Sequence, residues 1–295
     1  MSEATAHLSG TFELGGELEV RRLGFGAMRL TGPGVWGPPQ DSQECLRVLW
    51  RAVELGVNFI DTADCYGPHV SEELIRAALH PYPDDLVIAT KAGLVRGGPI
   101  GPNGSGASSV APLGFPAYLR QQCVLSLRRL DVDCIGLFQL HRIDPKFPLE
   151  DQIGELAALQ QEGKIRHIGL SEVDVDQLQA ARRIAPIASV QNRYNLFARS
   201  ADRLLSVCEK DRIAFIPWAP MTGRPQAVTD DLVQRTAQRH RATPAQLALA
   251  WLLHRSPAML PIPGTSNVAH LEENVAAAAI TLGADDISAL GEIAA

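Results

Sequence analysis

Four side chains in this sequence form a set that can move a proton beside a carbonyl group: Asp61, Tyr66, Lys91 and His141. A phenol titrating near ~10 is a poor proton donor unless that value is lowered. A lysine ammonium within hydrogen-bond reach stabilises the phenolate and lowers it, and a carboxylate beside the lysine holds the ammonium in place. A histidine nearby hydrogen-bonds a carbonyl oxygen and helps polarise it. The residue types predict Tyr66 as general acid, Lys91 and Asp61 as its tuning pair and His141 as the group that meets the substrate. Such a set suits protonation of an oxygen while hydride arrives at the attached carbon. Each residue alone has a plainer reading: Asp61 as a turn cap, Lys91 as a surface lysine, His141 as a satisfied core histidine. The chemical reading needs an architecture that brings all four to one rim.

The hydrophobic pattern supplies one. Eight apolar strands are predicted at 23–28, 57–61, 85–90, 134–140, 165–170, 188–191, 213–217 and 258–262, alternating with helical periods. Several are continuous apolar runs, as expected of strands buried on both faces of a parallel sheet. Strict alternation along a chain of 295 residues predicts a (β/α)₈ barrel, one domain over 1–295, close to the typical ~250 residues. Residues 11–14 and 18–21, joined at Gly15-Gly16, predict a short N-terminal β-hairpin. An open doubly wound sheet is the competitor, but Leu23-Gly-Phe-Gly26 lacks the third glycine of a strand–GxGxxG–helix fingerprint. The strands end at Asp61, Lys91, His141, Ser171-Glu172, Gln191-Asn192, Trp218 and Gly264-Thr265. In a barrel these ends share the catalytic face. Ser71 is the predicted cap of the helix 71–79. The connection 93–114, rich in Gly, Ser and Pro, exceeds ~12–15 residues and reads as a substrate-side lid or a surface insertion.

Composition narrows the partners. Net charge is −6 with both signs scattered and no basic run, which disfavours nucleic acid and points to a small-molecule substrate. No apolar run approaches the ~18 residues of a membrane span. The polar first ten residues resemble no secretory signal. Five dispersed cysteines without a CxxC pair suit free thiols in a reducing cytoplasm, the expected location. Cys65, between Asp61 and Tyr66, is expected to be mildly reactive if Lys91 lies close.

The motifs carry a resemblance. Asn58-x-x-Asp61-Thr-Ala-x-x-Tyr66-Gly67, Ala89-Thr-Lys91, Gln139-Leu-His141 and Ile168-Gly-Leu-Ser171 resemble the aldo-keto reductase superfamily. So do Gln191-Asn-x-Tyr-Asn195, Pro217-Trp218-x-Pro220 and the Ile262-Pro-Gly segment with Glu273-Asn274. More narrowly, the last segment is similar to bacterial members of the pyridoxal reductase and pyridoxine 4-dehydrogenase type. The resemblance implies a (β/α)₈ barrel that reduces aldehydes or ketones with NAD(P)H, or runs the reverse oxidation, without a metal. It implies the same roles for Tyr66, Lys91, Asp61 and His141, with Asp61 also beside the cofactor. It implies that Ser171 and Gln191 bind the nicotinamide carboxamide and that Trp218 stacks on the ring. Gly26 and Met28 then lie near the nicotinamide ribose. Gly264, Thr265, Ser266, His270, Glu273 and Asn274 grip the adenosine and its 2′-phosphate, where a helix start offers N–H groups to an anion.

Three positions depart from the family pattern. Glu172 replaces a frequent asparagine, Gly264 a frequent lysine and His270 a frequent arginine. NADP(H) is therefore expected with a weakened preference, and NAD(H) use is compatible with it. The chain ends soon after the helix 285–293, so the pocket is expected to be bounded by 93–114, by 30–40 with Trp36 and by 221–228, too short for a long flap. Two other readings stand beside this one. A metal hydrolase would use Asp61 and His141, although the Lys, Ser, Gln and Trp at other strand ends are a poor ligand set. A catalytically weak dinucleotide-binding module would keep the fold without turnover.

Overall fold

The computed structural model describes residues 5–101, 110–221 and 230–293. Seven parallel strands, β3 (Phe25–Gly26), β4 (Phe59–Asp61), β5 (Val87–Ala92), β8 (Ile135–Leu140), β9 (Ile165–Ser171), β10 (Ser189–Arg193) and β11 (Ala214–Trp218), lie side by side in chain order. The eighth position is filled by 258–263, which closes the sheet into the predicted barrel. Phe215 N donates to Ala258 O and Leu260 N to Phe215 O, each at 2.8 Å. On the other side Gly24 N donates to Pro261 O at 3.0 Å and Gly26 N to Pro263 O at 3.2 Å. Proline has no N–H, so Pro261-Ile-Pro263 pairs through its carbonyls alone and forms no continuous ladder. The first strand is also shorter than its apolar run, because Ala27–Leu30 turns into a 3₁₀ helix.

One parity runs through the barrel. Side chains alternate across a strand, so residues two apart share a face. Phe59, Val87, Ala89, Leu137, Ala214, Ile216, Leu260 and Ile262 form one buried interior cluster. Two residues further along the same faces come Asp61, Lys91, Gln139, Trp218 and Gly264, and His141 follows Gln139. The interior is thus apolar below and polar at the carboxyl ends. The antiparallel hairpin β1 (Thr11–Leu14) and β2 (Leu18–Arg21) contributes Leu14, Val20, Phe12 and Leu18 to that same cluster. Gly15 and Gly16, both at positive φ, make its turn. The hairpin therefore plugs the amino end of the barrel and leaves the carboxyl end as the accessible face.

Helices cover the outside and bury a second, larger cluster against the sheet. Ser71 is not a cap. The helix Val70–Leu79 starts after His69, and the Ser71 hydroxyl sits inside it, accepting from Thr62 Oγ1 at 2.8 Å and donating to Ala27 O. Ser71 thus fastens this helix to the end of β4. The long connection at 93–114 has structure at its base: β6 (Leu94–Arg96) pairs antiparallel with β7 (Val110–Pro112). Its Gly- and Pro-rich composition hid this hairpin, and 102–109 lie outside the described residues. So do 222–229, nearly all of the predicted short connection at 221–228. Among the described residues no helix is long and apolar enough to cross a membrane. All five cysteines are free of disulfides.

Candidate active site

At the carboxyl face a cavity of about 500 Å³ opens over the polar strand ends. Asp61, Tyr66, His141, Ser171, Gln191, Trp218, Gly26, Met28 and Gly264 all line it. Lys91 lies directly beneath, fully buried. Its ammonium has three donors and three acceptors: Asp61 Oδ1 at 2.6 Å, the Thr62 carbonyl at 2.7 Å and Tyr66 Oη at 3.4 Å. Burial alone would lower the Lys91 pKa. Asp61 and Tyr66 outweigh that, so it stands above the usual lysine value.

Asp61 is fixed by more than the lysine. Its Oδ2 accepts from Gln139 Nε2 and from Gln191 Nε2, each at 2.9 Å. Gln139 was not among the predicted site residues, although its inward parity two residues before His141 marks it. Gln191 faces the cavity but commits its amide N–H to Asp61, so what it can offer a ligand is its carbonyl oxygen. A carboxylate holding three N–H donors is also a poor metal ligand, which weakens the hydrolase reading built on Asp61 and His141.

Tyr66 is half-buried at the cavity wall, its ring edge-on to His141 at 6.0 Å. Burial pushes the phenol up to about 12, and Lys91 opposes this without overcoming it. Tyr66 is therefore held protonated near neutral pH. His141 is driven well below its usual value by burial and then by Lys91, Arg142 and Arg96, so its ring is neutral. Its Nδ1 lies 3.6 Å from Cys65 Sγ. Burial raises the Cys65 thiol strongly, against the pull of Lys91 and Arg96. The expected reactive thiol is thus an inert one. A weak S–H bond from this thiol to Nδ1 corresponds to the tautomer with the imidazole proton on Nε2.

Asp64, Cys65 and His141 bring possible metal-ligand atoms within 4.8 Å of one another. Burial and Glu72 push the Asp64 carboxyl up to about 8, so near neutral pH it is mainly protonated. A neutral acid, a neutral thiol and the neighbouring cations Lys91, Arg96, Arg129 and Arg142 make this a poor place for another cation.

The departures from the family pattern have partners. Glu172 Oε1 accepts from Trp218 Nε1 at 2.5 Å and from Arg193 N at 2.8 Å. The glutamate therefore orients the tryptophan ring, and Arg193 lies over that ring at 5.9 Å. Ser171 Oγ accepts from Arg142 Nη1 at 3.0 Å and keeps its own O–H to donate. At Gly264 a Cβ would sit 2.4 Å from the Gly26 carbonyl oxygen. Closure of the barrel at that point leaves no room for a lysine.

The remaining predicted cofactor residues are more scattered. Ser266 lines a second cavity of about 510 Å³, which shares Met28, Arg29 and Val35 with the first. Thr265, His270, Glu273 and Asn274 line neither. Glu273 instead accepts from Thr243 Oγ1 at 2.6 Å, fastening one helix to the next. At the start of the helix Val268–Ala276, where sequence predicts N–H groups available to an anion, several are bonded within the protein. His270 N donates to Asn267 Oδ1, and Asn267 N to Thr265 Oγ1. Val268 N donates to the Glu44 carboxylate at 3.0 Å, a bond that holds Glu44 below the usual carboxylate range together with Arg47. Sequence spacing gave no sign of Glu44.

Comparison with known proteins agrees with this geometry. A family model described as "Aldo/keto reductase family" matches residues 22–295. An uncharacterized oxidoreductase of Schizosaccharomyces pombe is 49% identical over 291 residues, covering 99% of this chain and 92% of that protein. Pyridoxine 4-dehydrogenase of Escherichia coli is 44% identical over 291 residues, covering 97% and 98%. Among solved structures, an aldo-keto reductase from Klebsiella pneumoniae in complex with NADPH superposes with a TM-score of 0.80 at 26% identity, over 95% of this chain and 93% of that one.

Proposed function

Because this chain belongs to the aldo/keto reductase family, we propose that it moves a hydride between a nicotinamide dinucleotide and the carbonyl carbon of an aldehyde or ketone, in either direction. The observation that carries this reading is the placement of Tyr66 Oη. It is bonded to a buried ammonium that Asp61 pins, beside a neutral His141, on the wall of a cavity. In reduction, Tyr66 donates its proton to the substrate oxygen, and His141 Nε2–H holds that oxygen in place. Lys91 stabilises the phenolate that remains.

The chain's residues fit a nicotinamide. The Ser171 hydroxyl and the Gln191 carbonyl offer a donor and an acceptor to a carboxamide, and Trp218 offers a flat apolar face. The group would supply the hydride when bound. We assign NADP(H) as the coenzyme, supported by the NADPH-bound Klebsiella structure, with NAD(H) also accepted. Glu44 is the reason for the second half of that assignment. It places a carboxylate at the helix start nearest the segment expected to meet a 2′-phosphate, where like charges repel. Glu44→Gln is expected to raise the ratio of NADPH to NADH efficiency a few-fold, read from kcat/KM for each coenzyme. An unchanged ratio would remove Glu44 from the coenzyme site.

The function is tested by NADPH and NADH oxidation with aliphatic aldehydes, aromatic aldehydes and pyridoxal, the last chosen from the activity named for the E. coli relative. The expected result is coenzyme oxidation that depends on the carbonyl compound, pyridoxal included. Tight NADPH binding without turnover of any of them would favour the non-catalytic module.

A further inference from the structure

We propose that Arg96 makes this site selective for carbonyl compounds bearing an anionic oxygen group, a carboxylate, phosphate or phenolate, an inference that rests on the reductase reading above. Three arginines, Arg29, Arg96 and Arg142, face the cavity over Tyr66. The acid on its wall, Asp61, is already matched by Lys91 and two amides. Arg96 meets no carboxylate among the described residues. Its Nη2 donates to the Gly34 carbonyl at 2.6 Å, and its Nε is buried without a partner. A guanidinium stays charged at any working pH, and leaving such a group partly unmet is costly. A cavity with this surplus draws in anions and holds them most strongly where water is excluded.

Position separates Arg96 from the other two. Arg29 lines both cavities and so faces a dinucleotide that spans them. Arg142 is engaged by Ser171 Oγ and the His141 carbonyl, on the wall assigned to the carboxamide. Arg96 stands on β6, with Leu94, Ile100 and Val110 as apolar neighbours on that side of the cavity. It is near enough to Tyr66, Cys65 and His141 to interact with them electrostatically. Gly34 O accepts from both Arg96 Nη2 and Ile100 N, so the segment 33–35 and the β6–β7 hairpin hold the guanidinium between them. A carbonyl compound with its oxygen at Tyr66 and His141 then turns its far end toward one fixed cation.

The test compares matched pairs, 4-carboxybenzaldehyde against 4-methylbenzaldehyde and succinic semialdehyde against pentanal, by kcat/KM with NADPH. The wild type is expected to favour the charged member of each pair by about 10- to 100-fold. Arg96→Gln collapses that ratio, and Arg96→Lys, which keeps the charge without the fork, retains part of it. A wild-type ratio near one, or a ratio unchanged in Arg96→Gln, overturns the proposal. Should Arg96→Gln fail to fold, the wild-type ratio and Arg96→Lys still decide. Binding of 4-(hydroxymethyl)benzoate, followed by tryptophan fluorescence, separates this proposal from the reductase reading. Arg96-dependent binding without turnover of any aldehyde sinks the reductase and leaves the anion subsite. Turnover without charge preference does the opposite.

Discussion

Replacing Tyr66 by phenylalanine is expected to lower aldehyde reduction about 10²- to 10⁴-fold while NADPH binding stays nearly unchanged. The substitution keeps the ring that packs edge-on against His141 and removes only the oxygen bonded to Lys91. Lys91 retains two closer acceptors, Asp61 Oδ1 and the Thr62 carbonyl, so the site beneath survives. What disappears is the proton donor. The measurement is hydride transfer in a single turnover, paired with a fluorescence titration of NADPH. Wild-type turnover in this variant would end the assignment of Tyr66. The pH profile carries a second, independent check. With the phenol near about 12, Tyr66 is protonated throughout neutral pH. His141, far below its usual value, is neutral over the same span. Reduction should therefore be flat from about pH 6 to about pH 9 as far as these two groups are concerned, and should fall only as pH rises through the tyrosine pKa. A midpoint near neutrality would mean that Lys91 wins over burial after all.

The net balance at Tyr66 shows where sequence reasoning reaches its limit. The types and strand positions of Asp61, Tyr66, Lys91 and His141 were legible because a period of two is a local pattern. Phe59 and Asp61, Val87 and Lys91, Leu137 and Gln139 each share a face whatever the rest of the chain does. The barrel followed from counting such strands, and its eighth member was placed correctly even though Pro261 and Pro263 deny it a full ladder. The balance at Tyr66 was not legible, since it depends on how much water the fold removes, a property of the whole barrel end. Nor were pairings between distant elements. Glu172 looked like a departure from a family pattern and Trp218 like an unrelated stacking residue, and one hydrogen bond joins them. Glu44 lies 224 residues from the amide it caps, and Arg96 sat in a stretch whose composition read as loop. Those residues matter through what they face, and facing is not periodic.

Lys91→Met is expected to abolish most turnover and to cost the fold about 3–5 kcal/mol, the usual penalty for leaving one member of a buried ion pair alone. The ammonium is fully buried and 2.6 Å from an almost fully buried carboxylate. Methionine fills much of the same volume, so the loss comes from the Asp61 charge left behind and less from a cavity. Gln139 and Gln191 still donate to Asp61 Oδ2, which places the expected cost toward the lower end of that range. The double variant Asp61→Asn/Lys91→Met removes the stranded charge and should regain much of the stability without regaining turnover, because Tyr66 has still lost its cation. Urea unfolding of both variants and of Asp61→Asn completes the cycle. The pH dependence has a definite sign. Lys91 is raised in the fold, so its contribution is complete below the unfolded lysine pKa near ~10.5 and is lost as pH rises through the folded value. Wild-type stability should therefore decline at strongly alkaline pH, and the double variant should lack that part of the decline. A Lys91→Met protein as stable as the wild type would show that Asp61 is held well enough by the two glutamines. The lysine would then serve the phenol alone.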